Sequence, residues 1–225
     1  VLAQTVATLV ERGERVLLTA FTHRAIHHAL RVCDRVIRDP ERIAKIGVYV
    51  YDPTLAPIRQ FETWAKSPLK HKHGGLLVGT TPYSAASQRM GGAQFDTVVI
   101  DESSQMTIPL AILAMLKGRK FIFFGDHRQL PPVLQSIPKR EAASWSVFGG
   151  LARQAEVTTL KTTYRLNAEL AEWPSESFYS DELRSDPSVA NRVLPTPNRP
   201  PNHAALSTRA SLTLYEIDHE GCRTA

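Results

Sequence analysis

The sequence predicts an α/β fold, a mainly parallel sheet with helices on both faces. Three observations predict it. Five short runs, Val16–Ala20, Gly75–Thr81, Thr97–Asp101, Lys120–Asp126 and Glu156–Leu160, are nearly continuous in apolar and β-branched residues, as strands covered on both faces are. Stretches with helical spacing of apolar residues separate most of them. Carboxylates, hydroxyls and amides collect just past the strand ends, where open α/β sheets bind ligands.

The elements follow in order. Leu2, Val6, Leu9 and Val10 recur at helical spacing, which predicts a helix over about 1–12 that Gly13 ends. Strand 16–20 and a helix over about 23–38 come next. Residues 39–74 break the rhythm with Pro40, Pro53, Pro57 and Pro68 and the polar KHKHGG turn, so they read as an insertion with a short helix near 56–66. Strands 75–81 and 97–101, a helix over about 108–117 and strand 120–126 resume the pattern. A proline-rich loop, a helix over about 144–154, strand 156–160 and a helix over about 167–179 carrying Pro174 follow. Residues 185–203 hold five prolines and read as a connector before a last strand.

The chain has 225 residues, 43% hydrophobic and 22% charged, enough for one domain, or one domain with part of another. Its two cysteines, Cys33 and Cys222, fit no paired motif, so a disulfide framework or cysteine zinc site is not expected and an intracellular, reducing compartment is. No apolar run reaches membrane-spanning length. The net charge of +5 sits in the first third: residues 1–75 carry 12 Lys and Arg against 7 Asp and Glu. That bias suits a polyanion such as nucleic acid, and equally an ordinary solvated basic face. The opening begins inside a helix without a cap, so the chain reads as a fragment.

Two segments carry the chemistry. In FDTVVIDESSQ the strand ends in adjacent carboxylates, Asp101 and Glu102. Magnesium takes few protein carboxylates and several phosphate oxygens and waters, so one acid suits the metal shell while its neighbour polarises a water. An acidic pair also suits the first turn of a helix. In FIFFGDHRQLPP, Gly125 permits a tight exit from the strand, and the amide of Gln129 can both donate to a terminal phosphate oxygen and accept from water. The plain alternative is a polar loop closing a core strand. Two weaker segments, TAFTHRAIHHAL and GTTPYSA, place hydroxyls of Thr19, Thr22, Thr80, Thr81 and Ser84 after strands and before helices, which fits either phosphate binding or routine N-capping. His23 and His27 share a helix face without a third metal ligand in view. Tyr164 and Arg165 could meet a purine face and a phosphate, or simply start a helix.

Taken together these segments resemble superfamily 1 helicases, in the subgroup of the nonsense-mediated-decay RNA helicase and the Okazaki-fragment helicase–nuclease. VLLTAFTHRAIHHAL looks like motif Ia, GLLVGTT like the next strand-binding motif, VVIDESSQ like motif II, FFGDHRQLPP like motif III, and TTYRLN with Phe178, Tyr179 and Leu183 like motif IV. The likeness runs over nearly the whole chain. It implies a RecA-like P-loop NTPase core domain over 1–160, with the insertion at 39–74, and over 161–225 the motif IV segment, a connector and the start of a second RecA-like domain.

It also implies roles. Asp101 would hold Mg2+ and Glu102 would be the catalytic base. Gln129 would touch the γ-phosphate of ATP with Arg165, Tyr164 would lie against adenine, and Asp126 would join the nucleotide-binding set. Thr19, Thr22, His23, Thr80 and Thr81 would meet single-stranded DNA or RNA. Thr163 and Leu166 stand where the motif usually has glutamine and methionine. No G-x-x-x-x-G-K-[ST] occurs, and the resemblance places that phosphate loop just before Val1. The expected activity is ATP-driven helicase or translocase action by a longer protein, with the 225 residues alone inactive. The alternative is a nucleic-acid-binding module that has lost hydrolysis.

Overall fold

The computed structural model describes residues 1–53, 58–135 and 138–193. The contacts divide the chain into two units, Val1–Glu156 and Val157–Ala225.

The first unit is built on six parallel strands: β1 (Arg15–Thr19), β2 (Ile43–Ile46), β3 (Arg59–Phe61), β4 (Leu76–Gly79), β5 (Thr97–Ile100) and β6 (Lys120–Phe123), in the spatial order β3-β2-β4-β1-β5-β6. Period-two alternation sends their side chains into two separate cores. Val16, Leu18, Leu77 and Val99 pack on one face with Val6 and Val10 of helix α1 (Leu2–Glu11) and Ile26, Leu30 and Cys33 of α2 (His23–Ile37). Leu17, Leu76, Val78, Val98 and Ile100 pack on the other with Ala85 of α3 (Pro82–Ala86) and Leu110, Ala111 and Ala114 of α4 (Ile108–Met115). Helices therefore cover both faces, and the expected α/β architecture holds. The two short helices α5 (Lys139–Ala142) and α6 (Val147–Leu151) follow β6. Among the described residues no helix is long and apolar enough to cross a membrane.

Three local expectations need correction. The stretch 39–74, expected as an insertion on the core with no strand of its own, supplies two strands of the sheet, β2 and β3. β2 is fully buried although Lys45 interrupts its apolar run, and β3 stands where a helix was expected; residues 54–57 of that expectation lie outside the described residues. Residues 156–160 form no strand. Val157 and Leu160 are exposed and no ladder partner meets them among the described residues, so the apolar pattern has no neighbour to pair with. The helix expected over 144–154 is shorter, a 3-10 turn (Ala143–Trp145) followed by α6.

The second unit, in its described part, is a strand–helix–strand crossover. β7 (Thr162–Thr163) pairs in parallel with β8 (Arg184–Ser185), and α7 (Ala168–Phe178) connects them. Asn167 caps α7, its Oδ1 accepting from the Leu170 N–H at 2.9 Å. The later part of the expected connector and the start of a second domain, residues 194–225, lie outside the described residues.

Candidate nucleotide site and nucleic-acid face

The carboxyl ends of β1 and β5 build the acidic site. The ladder continues one residue past β5, with the Asp101 N–H donating to the Thr19 carbonyl at 2.8 Å. Glu102 then takes a left-handed conformation, φ 49°, which costs a residue with a Cβ on the order of 1 kcal/mol. This turn drops the chain into a 3-10 turn (Ser103–Gln105), and Asp101, Glu102 and Gln105 come to line one cavity of about 620 Å³. Arg24 and Arg31 of α2 line the same cavity. Carboxylates and guanidinium groups around one cavity suit a phosphate ligand that arrives with a divalent cation.

Burial pushes the Asp101 carboxyl up to about 6, with the Glu102 charge adding to it, while the Glu102 N–H works against the rise. Burial, and then the Asp101 charge, pushes the Cys33 thiol up to about 12. A half-buried carboxylate poorly compensated by its surroundings is what a hard cation would stabilise, so Asp101 fits Mg2+. Among the described residues no three His, Cys, Asp or Glu side chains cluster as a metal cage, and His23 and His27 gain no third ligand.

The exit of β6 is clamped to this turn. The Phe124 carbonyl accepts from both the N–H and Oγ of Ser103, at 2.9 and 2.7 Å, and the Asp126 N–H reaches Ser104 Oγ at 3.4 Å. A Cβ on Gly125 would stand 2.6 Å from Ser103 Oγ, so only glycine permits the approach. Beyond it Asp126 organises the loop: its carboxylate accepts from the Arg128 N–H at 2.9 Å and from Gln129 Nε2 at 2.7 Å. Gln129 lines a neighbouring cavity of about 310 Å³, shared with Ser104 and Arg153, and not the one that holds Asp101. The Ser103–Gln105 turn is the wall between the two, so the acid and amide tips stand on adjacent strands without opening into one space.

The hydroxyl-bearing segments divide. Thr22 caps α2, accepting from the Ala25 N–H at 3.2 Å, and Thr81 caps α3, accepting from the Ser84 N–H at 3.2 Å; both keep surface. Thr19 and Thr80 are fully buried. Thr80 Oγ1 donates to the Ile46 carbonyl at 2.8 Å, tying the exits of β2 and β4 together. The expected direct contact of these two hydroxyls with a backbone phosphate is therefore corrected: the side chains face the sheet. His23 is half-buried with Nδ1 unpartnered, and burial, then Lys45 and His27, hold its pKa below the usual histidine range.

In the second unit, Thr163 Oγ1 accepts from the N–H groups of Arg165 and Leu166 at 3.2 and 3.4 Å, a local turn that its hydroxyl, unlike a glutamine, closes directly. Tyr164 is exposed and its hydroxyl bonds to Asp186, which raises its pKa. The Arg165 carbonyl accepts from Arg192.

Sequence reasoning missed a buried polar group beside the first site. Lys45, 1% exposed, donates from Nζ to the Val48 carbonyl at 2.6 Å and to Gln60 Oε1 at 3.3 Å. His27 Nδ1 meets Asp52 Oδ2 at 3.0 Å. No spacing rule marks Lys45 or Gln60; only the His27 position on a helix face gave a signal.

Two family models, each described as an AAA domain, match residues 73–137 and 143–224. The relatives they accompany are helicases. An uncharacterized ATP-dependent helicase of Methanocaldococcus jannaschii is 36% identical over 52% of this chain and 18% of its own length. The DNA replication ATP-dependent helicase/nuclease dna2 of Schizosaccharomyces pombe is 30% identical over 79% of this chain and 13% of its own. The chain is similar to ATP-dependent helicases. A third helicase, the ATP-dependent helicase NAM7 of Saccharomyces cerevisiae, is 34% identical over 55% of this chain and 13% of its own. The chain spans less than a fifth of the length of these relatives. The solved helicase of an arterivirus, in complex with DNA, aligns at 16% identity and a TM-score of 0.47 over 83% of this chain and 39% of its own.

Proposed function

We propose that this chain is the nucleotide- and strand-handling part of an ATP-dependent helicase or translocase that moves on single-stranded nucleic acid inside the cell. The observation that carries the reading is the Asp101–Glu102 pair, set by a left-handed turn at the end of β5 in a cavity that Arg24 and Arg31 also line. Asp101 is the residue to hold Mg2+, which when bound offsets phosphate charge and orients the γ-phosphate. Glu102, the exposed neighbour, accepts the proton of the attacking water. Gln129 is the γ-phosphate sensor. Its amide nitrogen is engaged by Asp126, so sensing requires that bond to be exchanged for a phosphate contact, which links nucleotide state to the 126–129 loop. Arg165 supplies further phosphate contact and Tyr164 an adenine face.

On the nucleic-acid side, Thr22, Thr81 and His23 offer exposed or half-exposed polar groups, while Thr19 and Thr80 act from beneath as supports. The reading is tested by ATP turnover of the full-length protein with and without single-stranded DNA or RNA, in wild type and Glu102→Gln. Loss of the general base should lower turnover about 10²–10⁴-fold while strand binding persists. Equal rates in the two proteins would refute the assignment and leave a binding module.

A further inference from the structure

Tyr49 and Tyr51 are 69% and 80% exposed in the loop that leaves β2, and Tyr83 is 65% exposed on α3, which follows β4. β2 and β4 are neighbours in the sheet, so all three rings stand on one carboxyl edge. Phe21, 49% exposed after β1, continues that edge by one strand. Leaving such rings in water forgoes their burial energy.

The loop does not present them by slackness. The Gly47 N–H donates to the Phe61 carbonyl at 2.9 Å. Lys45 Nζ holds the Val48 carbonyl. The Gln60 amide holds both backbone groups of Val50, donating to its carbonyl at 3.1 Å and accepting from its N–H at 3.3 Å. Asp52 is tied to His27. A Cβ on Gly47 would lie 3.0 Å from Ser84 Oγ, so the loop's start rests against α3 and brings the β2 exit beside Tyr83. The backbone of Val48 and Val50 and the side chain of Asp52 are thus tied by Lys45, Gln60 and His27, which fixes the path of the loop that displays the tyrosines. The buried lysine, otherwise without a role, is explained as a peg for this display.

We infer that Tyr49, Tyr51 and Tyr83 form a stacking platform for the bases of single-stranded nucleic acid. The inference rests on the nucleic-acid reading proposed above and deepens it, since it assigns bases, not only phosphates, to this edge. The chemistry favours nucleic acid as occupant: exposed Arg24 starts the helix next along the edge, and the surrounding third of the chain carries the basic excess. A flat ring accepts any base face, so the platform is indifferent to sequence.

The test measures binding of the protein to a fluorescent oligonucleotide of about 12 nucleotides, matching known site sizes, and to an abasic oligonucleotide of equal length that keeps every phosphate. The variants are Tyr49→Ala/Tyr51→Ala/Tyr83→Ala and the corresponding triple change to phenylalanine. Base stacking corresponds to roughly 5- to 150-fold per ring. The alanine triple should lose at least about tenfold on the base-bearing strand and less than about twofold on the abasic one, with an unchanged salt slope, and the phenylalanine triple should bind as wild type does. Wild-type binding that ignores the bases, or an alanine triple that binds the base-bearing strand as tightly as wild type, overturns the platform while the nucleic-acid reading stands, and the surface then belongs to a protein partner. A phenylalanine triple as weak as the alanine triple overturns stacking in favour of hydroxyl contacts. If wild type binds neither oligonucleotide, the nucleic-acid reading fails and the platform with it.

Discussion

Replacing Gly125 by alanine tests the clamp between the acid-bearing turn and the amide-bearing loop. The added methyl would meet Ser103 Oγ at 2.6 Å, Ser104 N at 3.0 Å and Phe148 Cδ2 at 3.1 Å. Two of these belong to the turn that walls the acidic cavity, and Ser103 Oγ is already bonded to the Phe124 carbonyl, so it cannot rotate away without losing that bond. Overpacking of this kind costs about 1–3 kcal/mol. For a unit of this size, 1 kcal/mol moves Tm by about 2–4 °C, so Gly125→Ala should lower Tm by about 2–12 °C. Gly92→Ala is the internal control. A Cβ there meets nothing within 4 Å and its φ is not positive, so the change should be neutral or stabilising by up to about 1 kcal/mol. Thermal unfolding followed by circular dichroism, with ATP turnover of the full-length protein alongside, reads both effects. If Gly125→Ala melts within 1 °C of Gly92→Ala (about the resolution of such a scan) and turns over ATP normally, the close approach of the two loops is not what the glycine secures.

Two further perturbations probe other joints. Glu14 sits at the start of β1 and receives bonds from Lys120 of β6 and from Thr97 of β5, at 2.6 Å for Thr97; these bonds, Lys120 first, hold its pKa below the usual value. A depressed folded-state carboxyl contributes stability above its unfolded pKa of about 4.5 and loses it as pH falls through the lowered value. Glu14→Gln should therefore cost about 1 kcal/mol at pH 7, discounted for the exposed lysine, and the gap to wild type should narrow in urea titrations as pH falls from 4.5 through the lowered folded-state value; a gap independent of pH would contradict the linkage. Glu102→Gly should relieve the left-handed strain and stabilise the fold by about 0.5–1 kcal/mol while abolishing turnover; a destabilised variant would show that the conformation is not strained.

The strands that carry the acids were legible because buried parallel strands have no polar face to hide in. Val98–Val99–Ile100 admits few other readings, and it places the acids that follow at the carboxyl end of the sheet. β2 was hidden for the opposite reason. Lys45 reads as a surface residue in any local window, and its burial depends on a carbonyl three residues away and an amide fifteen away that no periodicity links. Thr19 and Thr80 show a second limit: a hydroxyl after a strand has one spelling whether it faces a ligand or the sheet. Glu156–Leu160 shows a third, because a strand is a property of a pair, and a run of β-branched residues cannot announce that no partner will be present. Gln129 was read as a phosphate-sensing amide and Asp126 as part of the nucleotide-binding set, but that the second would hold the first by its amide required the turn itself.

The central strand has consequences for how the chain is made. Within this stretch β1 is synthesised well before both of its neighbours in the sheet: β4 begins roughly sixty residues downstream and β5 roughly eighty. At about 5–20 residues per second, Val16, Leu17 and Leu18 leave the ribosome roughly 3–12 s before the first backbone that can pair with them. During that interval the hydrophobic ribbon lacks the two strands that flank it in the sheet, and the amphipathic segments on either side of it are its local cover. Biosynthesis of this sheet thus favours a holdase that meets the nascent chain early, and mutations that lengthen the 39–74 stretch should lower yield in cells more than they lower the stability of the finished protein.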